Sequence, residues 1–311
     1  MILSASRRTD IPAFYSEWFI NRLRKGFVLV PNPYNTKQLS RITLSPEIID
    51  CIVFWTKDAT PMIDKLSCLE ELGYKDYYFE FTITAYDESI EKQLRPKSEI
   101  INTFQRLSDK IGADRVDWRF DPIILNDQIT EELILTRFEE MCKMLAAYTT
   151  KCITSFVDIY KHTPPAFQNM PDEKKEYMAK YLSEIASSYN LHLYTCSEEK
   201  DFSSFGINRS ACLDKEKIEN IVGYQLLTRK DAGQRKACGC MESIDIGVYN
   251  TCNHGCVYCY ATKSHKTSEK NRLLHNPHSP MLIGVPNGDE IVIPKTGKSL
   301  KNRQLPISYK D

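Results

Sequence analysis

The fold of this chain is predicted above all from one stretch, Tyr77-Tyr78-Phe79-Glu80-Phe81-Thr82-Ile83-Thr84. From Phe79 onward apolar and polar side chains alternate, which is typical of a β-strand whose two faces meet different environments. A second stretch alternates in the same way, with Val116, Trp118 and Phe120 set against Asp117, Arg119 and Asp121. Buried charges are costly unless they pair or face a wet cavity. The pattern predicts a polar ligand chamber inside a closed sheet, and the alternative is a buried network in which Arg119 pairs with Asp117 or Asp121.

Working outward from these two stretches, further short β-branched or aromatic segments recur at spacings that leave room for a helix between them. The eight predicted strands are Ile2–Ser6, Phe27–Val30, Asp50–Thr56, Tyr77–Thr84, Arg115–Ile124, Cys152–Ile159, Leu191–Cys196 and Ser243–Tyr249. Eight strand–helix units in about 250 residues match a (β/α)8 barrel. An open doubly wound sheet would also need a glycine-rich nucleotide loop, which the sequence lacks. We therefore predict an α/β chain of the TIM-barrel type.

Residues typical of helix ends predict where the first helix begins and where it stops. Asp10 and Pro12 suit the N-cap and first turn, and Gly26 suits the C-terminal end. The barrel with its cysteine loop is expected to occupy residues 1–260, and an irregular tail packed on the barrel is expected over residues 261–311. One hairpin is predicted around Glu290–Pro294, next to the turn-forming Asn287-Gly288-Asp289.

The composition limits the kinds of molecule that this protein is expected to bind. The 311 residues carry 41 basic and 41 acidic side chains, so no net field attracts nucleic acid or an anionic membrane. Hydrophobic residues make up 42% and charged residues 26%, which indicates a globular protein, and no apolar run reaches the length of a bilayer. We expect a cytoplasmic protein that does not contact a membrane, and the balanced charge argues against nucleic acid as a partner.

The most specific motif is Cys252-Asn253-His254-Gly255-Cys256-Val257-Tyr258-Cys259, a C-x3-C-x2-C run directly after the last predicted strand. Eleven cysteines in a reducing compartment favour metal binding or redox chemistry over disulfides. Three thiolates on one tight loop can hold three irons of a [4Fe–4S] cluster and leave the fourth iron open to a small molecule. Gly255 leaves room where the chain must curl.

This run resembles the cluster motif of the radical S-adenosylmethionine (SAM) superfamily, including the aromatic Tyr258 before the third cysteine. The resemblance implies that the open iron binds SAM, that Tyr258 contacts adenine, and that an oxygen-sensitive enzyme generates a 5′-deoxyadenosyl radical. It also implies a reduced electron donor such as ferredoxin or flavodoxin, and a small polar substrate.

The whole chain further resembles domain-of-unknown-function family 1848, through Ser6-Arg7-Arg8-Thr9-Asp10-Ile11-Pro12, Phe54-Trp55-Thr56-Lys57 and residues 234–260. In the radical SAM superfamily the cysteines follow the first strand, whereas here they follow the last, so a permuted barrel is expected. The usual glycine-glycine-acid motif is missing. Ser6, Arg7 and Arg8 stand in its place, and a guanidinium of Arg7 or Arg8 is the candidate for a SAM or substrate carboxylate.

Two other chemistries remain open at the cysteine run. Zinc could take the three cysteines with His254, Cys238 or Cys240, and Cys256-Val257-Tyr258-Cys259 alone could be a redox dithiol. A second set, Cys196, Cys212, Cys238 and Cys240, could ligate an auxiliary [4Fe–4S] cluster or zinc. The remaining four, Cys51, Cys68, Cys142 and Cys152, are predicted to be core residues.

Substrate-facing candidates are charged residues on the polar faces of predicted strands or at their carboxyl ends. They are Glu80, Arg119, Asp121, Asp158 and Glu198. Besides the radical SAM enzyme, two functions stay open: a non-enzymatic zinc or iron–sulfur protein, and a nucleic-acid repair lyase, because the Cys-Tyr ending of the run also resembles spore photoproduct lyase. The balanced charge argues against the lyase.

Overall fold

The computed structural model describes residues 1–303. Eleven strands and nine α-helices occur in that range. In chain order they are β1 Ile2–Ala5, α1 Ile11–Phe14, α2 Ser16–Lys25, β2 Phe27–Asn32, β3 Asn35–Thr43, β4 Cys51–Thr56, α3 Thr60–Ile63, α4 Leu66–Glu71, β5 Tyr77–Thr82, α5 Lys97–Ile111, β6 Val116–Arg119, α6 Glu131–Leu145, β7 Lys151–Thr154, α7 Asp172–Ser188, β8 His192–Cys196, β9 Asn208–Ser210, α8 Lys215–Val222, β10 Ile244–Asp245, α9 His265–Leu273 and β11 Ile291–Lys295.

The main sheet contains eight parallel strands in the order β10-β1-β4-β5-β6-β7-β8-β9. Helices lie between most neighbouring strands in the chain, as parallel connections require. Trp18, Phe54, Phe79, Trp118 and Phe138 are among the largest fully buried side chains of the core. The strand–helix alternation is thus confirmed.

The closed barrel was wrong. Within residues 1–303 the two end strands, β9 and β10, do not pair with each other, so the fold is a mixed α/β fold with a large parallel eight-stranded sheet. β10 contributes only Ile244 and Asp245, which pair with β1 alone. Between the two sheet ends, the Met241 amide donates to the Leu213 carbonyl at 3.1 Å. A loop contact stands where a barrel would need a strand ladder.

One predicted strand belongs to another sheet. Phe27–Val30 lies in β2, which pairs antiparallel with β3, and β11 pairs in parallel with β3 to complete three strands. The predicted hairpin around Glu290–Pro294 is therefore wrong, because these residues join a strand that is far away in sequence. β3 and the three-residue β9 were missed. The main sheet has the predicted number of eight strands, but β9 belongs to it in place of the predicted strand Phe27–Val30.

The predicted ends of the first helical region are confirmed. Asp10 caps α1 by accepting from the Ala13 amide at 2.9 Å, and Gly26 ends α2 with φ +72°. Tyr15 separates the region into two helices. After residue 260 the chain is not wholly irregular, since α9 and β11 lie there, and residues 304–311 of the predicted tail lie outside the described residues. The Trp18 indole donates to the Ser279 and Met281 carbonyls, both at 3.0 Å.

The predicted core cysteines Cys51, Cys142 and Cys152 are fully buried, and Cys68 is half-buried. In residues 1–303 no helix is both long enough and apolar enough to cross a lipid bilayer.

Asp245 fastens the short strand β10 to β1. Its carboxylate accepts from Ser4 Oγ at 2.7 Å, Ser6 Oγ at 2.5 Å, the Arg7 amide at 2.9 Å and the Gly247 amide at 2.9 Å. We predict that Asp245→Ala lowers the free energy of unfolding by about 1–3 kcal/mol, since these partly buried donors lose their acceptor. Chemical denaturation measures the change. The exposed Asp289→Ala is the control, and equal stabilities of the two variants would contradict the prediction.

Candidate functional site

Polar groups converge where four adjacent strands of the main sheet end. Parallel strands place their carboxyl ends at one edge, so the segments following β10, β1, β4 and β5 meet there. The cysteine loop follows β10, residues 6–10 follow β1, and Lys57 follows β4. This edge is the candidate functional site.

Asp10 is the centre of this edge. Beyond capping α1, its Oδ2 atom accepts from Thr56 Oγ1 at 3.0 Å and from the Lys57 amide at 2.7 Å. The same oxygen lies 2.7 Å from Nε2 of His254, whose ring packs on Phe14. Sequence reasoning found Asp10 only as a helix cap, since capping is a local pattern and the other partners are distant in sequence.

The cysteine loop is pinned by the segment before α5. The Gln93 amide donates to the His254 carbonyl at 2.9 Å, and the Val257 amide donates to the Ile90 carbonyl at 3.0 Å. Gly255 has φ +74°, and a Cβ there would lie 3.1 Å from Cβ of Lys92. The expected need for glycine at this position is therefore met by both conformation and space.

The three thiols of the loop lie in one electrostatic neighbourhood. Cys256 is buried, and Cys252 and Cys259 are half-buried. Burial raises the pKa of Cys256 to about 12, against the opposing effect of nearby Lys57. Burial also raises the pKa of Cys252, with contributions from Asp10 and from the other two thiols. Among the described residues no hydrogen bond joins two of these three sulfurs.

Glu91 carries a buried ion network beside the loop, and sequence reasoning missed it. Its side chain is 1% exposed and accepts from Lys57 Nζ at 2.6 Å, from Lys97 Nζ and from Thr84 Oγ1 at 2.8 Å. Burial acts to raise the pKa of Glu91, but Lys57 and Lys97 outweigh it and hold that pKa below its usual range. Glu91 lies outside the helices and strands, in an isolated antiparallel bridge with Cys256, so no strand or helix periodicity marks it in the sequence.

Tyr258 reaches this network. Its hydroxyl donates to Glu91 at 2.5 Å, its ring meets Tyr86 edge-on, and Lys57 Nζ lies 5.6 Å from its centroid. The residue that the resemblance assigns to adenine contact thus lies at the site with its hydroxyl engaged.

The polar side chains after β1 differ in whether their hydrogen-bonding atoms already have partners. Ser6 Oγ donates to Asp245 and accepts from the Arg8 amide at 3.0 Å. Arg8 lies over Tyr249 and donates to the Gly247 carbonyl at 3.4 Å. Arg7 stacks 5.2 Å from the Trp55 ring, and its buried Nη2 has no hydrogen-bond partner within residues 1–303. Arg7 therefore has a donor available to a ligand.

The second cysteine set also comes together. Sγ of Cys196 lies 3.5 Å from Sγ of Cys212, and all four cysteines belong to one cluster of buried side chains. A Cβ on Gly239, between Cys238 and Cys240, would lie 3.5 Å from Cβ of Ala211, the neighbour of Cys212. All four are buried.

Arg119 joins these thiols to the polar face of the main sheet. It donates to Cys212 Sγ at 2.9 Å and to Glu80 at 2.9 Å, and it also pairs with Asp121. The buried network weighed as the alternative to a ligand chamber is present between Arg119 and Asp121, whereas Asp117 pairs with Lys217.

The five substrate candidates do not form one group. Glu80, Arg119 and Asp121 belong to the Arg119 network. Glu198 accepts from the Phe156 amide at 2.8 Å and lies 3.6 Å from Lys175 Nζ, and Asp158 is an exposed partner of Arg235. Glu198 and Asp158 both line a cavity of about 730 Å³.

Comparison with protein families gives one match, "Domain of unknown function (DUF1848)", over residues 2–261. This chain belongs to the DUF1848 family. No curated protein matches it. Among solved structures it is similar to a crystal structure described as a "putative alpha-L-fucosidase from Bacteroides thetaiotaomicron VPI-5482", at 10% identity and a TM-score of 0.26, covering 57% of this chain and 74% of that one.

The three DUF1848 segments that carried the sequence resemblance meet at Asp10. The first supplies Asp10 itself, the second supplies Thr56 and Lys57, and the third supplies His254. The family resemblance is confirmed, and its separate motifs form one contiguous part of the structure.

The argument for a metal at this DUF1848 site depends on the chemistry of the donor atoms and not on their arrangement in the structure. In the described part of the chain, no group of three or more His, Cys, Asp or Glu side chains is arranged to hold a metal ion. His254, considered as a zinc ligand, is engaged by Asp10, and Cys238 and Cys240 belong to the second thiol set. Three thiols on a fixed loop, free of mutual hydrogen bonds, fit a thiophilic metal group in donor chemistry.

We predict that Glu91→Gln lowers the free energy of unfolding by about 3–5 kcal/mol, because Lys57 and Lys97 lose a buried counter-charge. Thermal and chemical denaturation measure the loss. Glu88→Gln, an exposed change three residues away, is the matched control. A Glu91→Gln protein as stable as this control would show that the network is not structurally required.

Proposed function

We propose that this DUF1848 protein is an iron–sulfur enzyme of the radical SAM type that acts on a polar substrate. The observation that carries the proposal is that the loop with Cys252, Cys256 and Cys259 lies at the same sheet edge as Arg7. The Arg7 carbonyl accepts from Tyr260, directly after the loop, and its buried Nη2 has no hydrogen-bond partner within residues 1–303. A [4Fe–4S] cluster bound there would supply reductive cleavage of SAM to a 5′-deoxyadenosyl radical.

The chain's own part in this chemistry begins with three thiolates. Each ligating thiol must lose its proton, and the positive charge of Lys57 near Cys256 favours that loss. Glu91 keeps the Lys57 ammonium in place. The loop's backbone hydrogen bonds to Ile90 and Gln93 fix the three sulfurs relative to this charge.

Arg7 is proposed to bind the SAM carboxylate. A planar guanidinium donates two parallel hydrogen bonds to a carboxylate, and one donor nitrogen of Arg7 is free for this purpose within the described residues. Cζ of Arg7 lies 5.2 Å from the centroid of the Trp55 ring, a cation–π contact that helps to position the guanidinium. Arg8, by contrast, already donates to Gly247 and lies 3.9 Å from Asp245.

The polar substrate is proposed to enter through the cavity beside Glu198. Lys175, Arg235, Asp158 and Glu198 give that cavity both signs of charge. A substrate with separate acidic and basic groups would match this lining. A reduced ferredoxin or flavodoxin is the proposed electron donor.

We predict that reconstituted, reduced wild-type protein releases 5′-deoxyadenosine from SAM and that Cys256→Ala lowers the release to the level without protein. Without one of the three thiolates the chain would have too few ligands to hold the cluster, so the open iron proposed to bind SAM would be lost with it. Anaerobic reconstitution followed by chromatography of the products measures this. Cys68→Ala, outside both thiol sets, is the control.

Three outcomes would contradict the proposed enzymatic function. Wild-type protein that holds a full cluster yet neither binds nor cleaves SAM would remove the radical reaction and leave an iron–sulfur protein. Stoichiometric zinc on the loop, lost in Cys256→Ala, would support the non-enzymatic zinc alternative. Cleavage that persists in Cys256→Ala would place the reaction elsewhere.

We predict that Arg7→Ala weakens SAM binding about 10-fold to 100-fold, the effect of losing a charged hydrogen bond to a carboxylate. Iron content is expected to stay equal to wild type, since Arg7 is not a ligand. Equilibrium binding to the anaerobic protein gives the dissociation constant, and Arg7→Lys should recover part of the affinity. An unchanged constant in Arg7→Ala would assign the carboxylate to another residue.

A further inference from the structure

The second set of cysteines is a separate site from the cysteine loop. Its members come from three places in the chain: Cys196 ends β8, Cys212 follows β9, and Cys238 and Cys240 precede β10. Their exposed fractions are between 1% and 8%. Four buried thiols from distant segments in one cluster go beyond what packing of small apolar residues requires.

We propose that Cys196, Cys212, Cys238 and Cys240 bind one zinc ion that fastens the two open ends of the main sheet to each other. This inference does not rest on the proposed function, since the ion would be structural whether or not SAM is cleaved.

The sulfur spacing favours a single ion. A zinc–sulfur bond of about 2.3 Å in a tetrahedron places two sulfurs about 3.8 Å apart. The observed 3.5 Å between Cys196 and Cys212 is near that value. A cubane cluster binds each cysteine to a different iron and so holds the sulfurs farther apart. The segment with Cys238 and Cys240 lies against the segment with Cys212, since a Cβ on Gly239 would lie 3.5 Å from Cβ of Ala211 and all four cysteines share one buried cluster.

The surrounding charge fits four thiolates with one divalent ion, which together carry two negative charges. Arg119 Nη1 is 2.9 Å from Cys212 Sγ, and Arg7 lies within electrostatic range of Cys212 and Cys240. Arginines beside thiolates lower the cost of burying that charge. Within residues 1–303 the four thiols do not surround a metal position, so zinc binding would have to draw their side chains together, and it would release the thiol protons.

The position gives the ion its role. β9 and β10 are the end strands of the sheet, and within residues 1–303 no ladder joins them. Cys212 lies two residues beyond β9, and Cys240 lies four residues before β10. A bond from each thiol to one ion would tie these ends together beside the Met241–Leu213 hydrogen bond.

The test uses the full chain with the cysteine loop disabled by Cys252→Ala, Cys256→Ala and Cys259→Ala together, so that only the second set can hold metal. Elemental analysis is expected to find about one zinc per chain and no iron with sulfide. Adding Cys212→Ser should reduce zinc at least tenfold, and adding Cys68→Ser should not. Cobalt substitution should give the visible absorption of a tetrahedral thiolate site.

A second measurement covers variants that do not fold. Wild-type protein treated with a zinc chelator should lose thermal stability and show faster hydrogen exchange in residues 207–213 and 238–245, and added zinc should reverse both. Absence of metal, iron with sulfide in place of zinc, or a Cys196–Cys212 disulfide would each overturn the proposal. Failure here leaves Cys256-dependent cleavage of SAM unaffected, and failure of that cleavage leaves the zinc content unaffected.

Discussion

The buried carboxylate of Asp10 is the interaction on which the candidate site depends. One oxygen caps α1, and the other holds the end of β4 and the imidazole of His254 in the cysteine loop. Without it, four groups would lose this partner at once: the Ala13 amide, Thr56 Oγ1, the Lys57 amide and the His254 ring. Desolvated donors are expensive to leave unpaired. Asp10 therefore couples the start of the fold to the position of the three thiols, and the geometry of the loop cannot be set independently of the first helix.

Local patterns were enough to predict the strand–helix alternation, because burial periodicity and helix caps depend on neighbours in sequence. Asp10, Gly26 and the alternation through Glu80 and Arg119 were read correctly on that basis. Closure of the sheet depends on which strands pair, and nothing local distinguishes Phe27–Val30 from a strand of the main sheet. The partner of β2 is β3, and the partner of β11 is also β3, so long-range pairing decided what periodicity could not.

The grouping of the thiols was predicted from the sequence, whereas most of the charged contacts around them were not. Cysteine spacing is visible in sequence, so the loop and the second set were both identified. Glu91, Lys97 and the added roles of Asp10 depend on contacts between segments that share no motif. Pairing of Arg119 along its own strand was the alternative to a ligand chamber, and in the structure Arg119 also reaches Glu80 on β5 and Cys212 beyond β9.

The two thiol sets differ in the feature that decides what each can hold. In the loop the sulfurs come from eight consecutive residues, and backbone hydrogen bonds and Gly255 fix the chain that carries them. In the second set the sulfurs interact directly and come from segments that no strand ladder joins. A loop fixed by its own backbone can leave a coordination position open to a small molecule. In the proposed zinc site, thiols from separate segments would fill all four coordination positions of the ion, since an open position would weaken the link between the two sheet ends.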